Sequence, residues 1–126
     1  MKGVMGLIEK DGKFLFGIES KNSHINGKWR LLGGRLEGNE SSEQAMIREC
    51  MEEAEIQVKV IKFLGNTYIA RNDITIDLCY AKWVLGNPKP KLNELNKLQW
   101  FSLKEARKLD KDDVSKLALR LFEETL

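Results

Sequence analysis

Residues 34–56 read GRLEGNESSEQAMIRECMEEAEI, and a second glycine, Gly33, stands immediately before them. Successive residues of a helix turn by about 100°, so positions three and four apart share a face. Glu49, Glu52 and Glu53 therefore project along one arc with Arg48 on its flank, and Met46, Ile47, Cys50, Met51 and Ala54 take the opposite arc. Ser41 or Ser42 can cap the start of this helix, and Ser41 with Gln44 reads as a capping box. Crowded carboxylates cost a helix roughly a few tenths of a kcal/mol per pair. A divalent cation would offset that repulsion, and hard oxygen ligands suit Mg²⁺ or Mn²⁺. Three glutamates alone also describe an ordinary solvated acidic face. The upstream residues add to them: Gly33 and Gly34 let the backbone come close to an ion or ligand, and Glu40 sits at a fixed distance before the helix.

Five residues separate Gly34 from Glu40, and seven separate Glu40 from Arg48-Glu49, with Glu52-Glu53 following. This pattern resembles the Nudix box, G-x5-E-x7-R-E-U-x-E-E-x-G-U, where U is bulky and apolar. Trp29-Arg30-Leu31-Leu32 ahead of the glycines is similar to the W-x-L-P-G-G of many members. Two positions depart from the pattern. Glu55 stands where a glycine ends the helix, and Leu32 stands where a proline precedes the glycine pair. A glutamate at the first of these costs about 1 kcal/mol if the backbone turns left-handed there.

Length and composition agree with a small globular protein. The 126 residues are expected to form one domain over 1–126, large enough to bury a core. A net charge of +2 without blocks of like charge argues against long nucleic acid or a membrane surface as partner. No targeting or membrane-spanning run is apparent. Cys50 and Cys79 lie among apolar neighbours and read as reduced core residues of a cytoplasmic protein. His24 is the only histidine, which disfavours zinc.

Working outward, residues 4–8 and 14–18 are apolar runs around Asp11-Gly12, a hairpin signal. Residues 20–30 are expected to form a loop, and Leu31-Leu32 to enter a glycine turn. Residues 57–63, 66–70 and 74–84 read as strands, the last two turning at residues 71–73. Residues 86–90 form a loop, residues 98–103 another strand and residues 104–109 a helical turn. A closing helix spans residues 112–126, with Asp110 or Asp112 as cap and Val114, Leu117, Leu119 and Leu121 as its apolar stripe. Strands between a central and a terminal helix predict an α/β fold with a mixed sheet sandwiched between helices. That α/β/α order is similar to the Nudix fold.

The resemblance implies an Mg²⁺- or Mn²⁺-dependent hydrolase of phosphoanhydrides. It makes Glu49, Glu52, Glu53 and the carbonyl of Gly33 metal ligands, with Glu94 as a further carboxylate from a later loop. It makes Glu49 or Glu52 the catalytic carboxylate, Arg48 the residue that orients the glutamates, and Glu40 a structural partner of the loop. The implied substrate is a nucleoside diphosphate linked to a second group. A (deoxy)nucleoside triphosphate giving NMP and pyrophosphate is favoured, because Ala70-Arg71 and Asn72-Asp73 replace the proline and tyrosine of two other family branches. Nucleotide sugars, ADP-ribose-like compounds and a non-cleaving nucleotide sensor are the alternatives, and a homodimer is left open. Candidate substrate contacts are Gly34, Trp29, Lys21, Asp112 and Asp113. Lys28, Arg30 and Arg35 could also steer a polyanion, Phe14 or Tyr68 could stack on a base, and Asp112 and Asp113 could instead simply cap their helix.

Overall fold

The computed structural model describes residues 1–19, 27–91 and 95–126. Strands β1 (Lys2–Lys10) and β2 (Lys13–Glu19) form the expected hairpin. Its turn residues Asp11 and Gly12 both have positive φ, 51° and 78°, as a two-residue hairpin turn requires. Then come β3 (Trp29–Arg30), β4 (Leu32–Arg35), α1 (Ser42–Ala54) and β5 (Gln57–Ile69). A 3₁₀ turn (Ala70–Asn72), β6 (Ile74–Leu85), β7 (Leu95–Ser102), α2 (Leu103–Lys108) and α3 (Asp113–Glu123) complete the chain.

The sheet runs β3-β2-β1-β6-β5, with β4 also on β1 and β7 also on β2. Among the described strands only β1 and β6 pair in parallel, from Lys2–Thr75 to Glu9–Lys82. β1 divides one edge between two partners: Gly3 to Gly6 pair with β4, and Glu9 and Lys10 pair with β2. The split brings the glycine pair into the sheet. What the sequence suggests is a glycine turn is thus a strand, held because β1 offers an edge that β2 leaves free. Within the expected loop at 20–30, Trp29 and Arg30 form a short strand on β2.

The two strands expected at 57–63 and 66–70 are one strand of 13 residues. Register shifts at Val60/Lys62 and Phe63/Gly65 absorb the break in alternation, as bulges do.

Two apolar layers flank the sheet. On one face Ala45, Met46, Cys50 and Ala54 of α1 pack on Val4, Ile8 and Cys79. On the other, Ala106 of α2 and Ala118, Leu119 and Phe122 of α3 pack on Leu7, Phe16 and Leu78. The α/β/α order is therefore observed, and both cysteines are buried and free. Ile47 and Met51 are exceptions to the expected apolar arc, at 41% and 43% exposure, while Glu53 is buried. The contact stripe runs through residues 42, 46, 50 and 53, and Ile47 and Met51 each sit one residue, about 100°, past it. On α3 the buried side chains are Ser115, Ala118, Leu119 and Phe122, with Val114, Leu117 and Leu121 partly covered. Phe122 meets Phe14 edge-on at 5.4 Å. Among the described residues no helix is long and apolar enough to cross a membrane.

Candidate metal and nucleotide cleft

Ser41 caps α1 through the predicted capping box: its side chain accepts from the Gln44 N–H, and the Gln44 side chain accepts from the Ser41 N–H. The cap fixes where the helix starts and so which residues face the glycines. Gly33 has φ +151°, and a Cβ there would lie 2.0 Å from the Val4 carbonyl oxygen. At Gly34 a Cβ would fall 2.6 Å from the carboxyl carbon of Glu49. Gly33 thus permits the close approach of β4 to β1, and Gly34 leaves the space in which the Glu49 carboxylate rests.

Arg48 is the hub of the acidic face. Its Nη1 donates to Glu49 Oε1 and Glu52 Oε1, both at 2.8 Å. Its Nη2 donates to Glu40 Oε1 at 2.6 Å and to the Arg35 carbonyl at 2.9 Å. Glu37 pairs with it at 3.6 Å. Glu40 also accepts from the Glu37 N–H at 2.8 Å, closing the loop before the helix. The Arg48 hydrogen bond holds the Glu40 carboxyl below its ordinary range.

Four carboxylates, those of Glu37, Glu40, Glu49 and Glu52, share this single guanidinium, so carboxylate oxygens outnumber its donors. That excess of hard oxygen donors, and the cradle that Gly34 keeps open beside Glu49, suit a divalent cation. As the side chains lie, Arg48 draws Glu49 and Glu52 toward itself. Among the described residues no group of three or more His, Cys, Asp or Glu side chains is arranged to hold an ion. Glu52, 47% exposed at its side chain, has room to turn toward one.

Glu53 is placed differently. It is buried, its Oε2 accepts from Arg30 Nη2 at 2.9 Å, and its Oε1 accepts from the Gly33 N–H at 2.8 Å. Burial pushes its carboxyl up to about 7, against the pull of Arg30 and of the Gly33 N–H. Arg30, expected as a steering charge at the mouth, is itself buried. Its Nη1 donates to the Leu31 carbonyl. Its Nε lies 2.9 Å from Glu19 Oε1 without an aligned hydrogen bond, so that contact is Coulombic.

Beside the glycines opens a cleft of about 970 Å³ between the β5–β6 end of the sheet and the start of α3. Ile69, Ile74, Ile76, Val114 and Leu117 line one part of it, and Lys28, Gly33, Gly34, Arg35, Asp112 and Asp113 line another. Asp112 caps α3 by accepting from the Ser115 N–H at 3.0 Å, while Asp113 has a fully exposed side chain. Trp29 does not line the cleft; it packs edge-on against Phe101 at 4.9 Å. Phe14 is core. Tyr68 donates to Asp73 Oδ1 at 2.8 Å. Lys21, His24 and Glu94 lie outside the described residues. The aliphatic wall and the pairing of Arg30 have no signal in local spacing, because long-range strand pairing creates both.

The family profile for a NUDIX domain matches residues 2–122. An NAD-capped RNA hydrolase NudC of Vibrio parahaemolyticus is 31% identical over 81% of this chain and 38% of its own length. The CTP pyrophosphohydrolase of Escherichia coli is 36% identical over 50% of this chain and 47% of its own length. An ADP-ribose pyrophosphatase of Methanocaldococcus jannaschii is 32% identical over 84% and 64%. The chain thus spans less than two thirds of the length of each of these relatives. The crystal structure of a MutT NUDIX hydrolase from Burkholderia pseudomallei superposes with a TM-score of 0.80 at 25% identity, over 95% of each chain.

Proposed function

We propose a nucleotide pyrophosphohydrolase activity for this chain, which belongs to the NUDIX family. Members of the family generally use a divalent metal, and we assign Mg²⁺ or Mn²⁺ to the acidic end of the cleft. Glu49, Glu52 and Glu53 with the Gly33 carbonyl would hold it, joined by Glu94. The chemistry such an ion supplies is neutralisation of the diphosphate and a lowered pKa for bound water. Arg48 keeps Glu49 and Glu52 within one guanidinium's reach. One of these two carboxylates takes the proton of the attacking water as the new P–O bond forms and the bridging P–O bond breaks.

A single observation carries the reading: the Glu49 carboxylate is seated over Gly34, which lines a cleft whose other wall is aliphatic. A diphosphate fits the first part and a nucleobase the second. Lys28 and Arg35 line the cleft beside the glycines and would face the phosphates. Asp112 and Asp113, at the start of α3, line the cleft and would accept from an amino group on the base edge.

The favoured substrate is a (deoxy)nucleoside triphosphate, giving NMP and pyrophosphate, and the E. coli CTP pyrophosphohydrolase supports that class. The M. jannaschii ADP-ribose pyrophosphatase, matched over most of this chain, supports a linked diphosphate as the second reading. Chromatography of the products after incubation with Mg²⁺ separates them. NMP with pyrophosphate marks the first and NMP with a sugar phosphate the second. Intact nucleotide in every reaction would leave only a non-cleaving sensor.

A further inference from the structure

Arg30 occupies a position where a cation is already in contact with the candidate metal site. It is 8% exposed and Glu53 is 2% exposed, so the pair is shielded from water. One Glu53 oxygen is committed to the Gly33 N–H and the other to the Arg30 guanidinium. Glu52, by contrast, stands half in solvent. A metal ion reaching Glu53 Oε2 would meet the guanidinium already there, and the two positive charges would repel across that one oxygen. A second carboxylate already stands against that guanidinium: Arg30 Nε lies 2.9 Å from Glu19 Oε1, and Nε makes no aligned hydrogen bond. Glu19 and Glu53 come from β2 and α1, so Arg30 on β3 lies between two carboxylates with charge enough for one.

We propose that Arg30 is a resident counter-cation that competes with divalent metal for Glu53 and shifts toward Glu19 when the metal binds. The inference rests on the reading of the acidic end of the cleft as a metal site. Arg30 is a positioning residue in this account: it sets how much of the carboxylate set is free, and so how tightly the substrate-free protein holds an ion. An ion arriving with its nucleotide would have more binding energy with which to displace the guanidinium than an ion alone.

Titration of the nucleotide-free protein with Mn²⁺, read from the electron paramagnetic resonance signal of the free ion, tests this without turnover. Arg30→Gln should bind Mn²⁺ roughly tenfold more tightly than wild type, the scale of a lost charged hydrogen bond. Glu19→Gln removes the alternative partner, leaves Arg30 on Glu53, and should weaken Mn²⁺ binding. Near-ultraviolet circular dichroism checks that each variant is folded. If Arg30→Gln does not fold, Glu19→Gln decides alone, with unchanged or tighter binding overturning the proposal. Wild-type affinity in both folded variants, or no Mn²⁺ binding in any of the proteins, overturns it too. Mn²⁺ binding that responds as expected in a protein that cleaves no nucleotide would leave this inference standing and defeat only the hydrolase reading.

Discussion

Gly33 and Gly34 stand side by side, yet a methyl group added to each should have a different consequence. At Gly33 the Cβ meets backbone 2.0 Å away and the φ is +151°. Gly33→Ala should cost more than about 2 kcal/mol, visible as a large fall in Tm. At Gly34 the obstacle is the Glu49 carboxylate, which can swing aside. Gly34→Ala should therefore keep most of its Tm and lose turnover by displacing that carboxylate. Equal losses of Tm in the two variants would contradict this division of roles. Glu55 has φ 57° and ψ 37°, so it does take the left-handed conformation usually given to glycine. Glu55→Gly should raise stability by about 0.5–1 kcal/mol, the relief of left-handed strain less the added freedom of the unfolded chain. The exposed pair that Glu55 makes with Lys91 is too screened to reverse the sign. An unchanged or lower Tm would sink the local reading.

At the scale of the element, α1 is the part of the molecule most legible in sequence. Its cap, its length and its acidic face all follow from residues a few positions apart. Its rotation does not: whether Ile47 or Glu53 turns inward depends on what β4 and β3 offer, and Arg30 decides for Glu53. The same limit applies to β4, whose strand character comes from the free edge of β1, and to the unbroken β5, where bulges rescue a broken alternation. The loop before α1 carries a pH prediction. Arg48 holds the Glu40 carboxyl below its ordinary value of 4.5. The stabilisation this gives is complete above that value and is lost as the pH falls through the lowered one. Glu40→Gln should thus flatten the acid side of a Tm-against-pH curve below 4.5 and leave the slope near neutrality alone. Parallel acid limbs for variant and wild type would show that Arg48 does not lower the Glu40 pKa.

On the scale of the whole molecule, the sheet places the acidic helix on one face and α3 on the other, and the cleft opens at the end where β4, the β5–β6 turn and the start of α3 meet. The box and the order of layers were readable because each rests on short-range spacing. The aliphatic wall was not, since Ile69, Ile74 and Ile76 converge with Val114 and Leu117 only through the pairing of β5 with β6 and the packing of α3. Asp112 was readable as a cap, and the structure adds its place at the cleft mouth. Glu52→Gln removes one carboxylate charge from an exposed position, so it should preserve Tm within a degree or two while lowering metal-dependent turnover by roughly a hundredfold or more. Full activity in that variant would mean the site had been placed wrongly.

The most direct test is phosphate release from a panel of canonical and oxidised nucleoside triphosphates with Mg²⁺ or Mn²⁺, with inorganic pyrophosphatase in half the wells and EDTA controls. ADP-ribose, nucleotide sugars and dinucleoside polyphosphates run beside them with phosphatase instead. The account predicts release from at least one triphosphate that requires both the metal and pyrophosphatase. Silence across the whole panel, from a folded protein that still binds nucleotide, would contradict it.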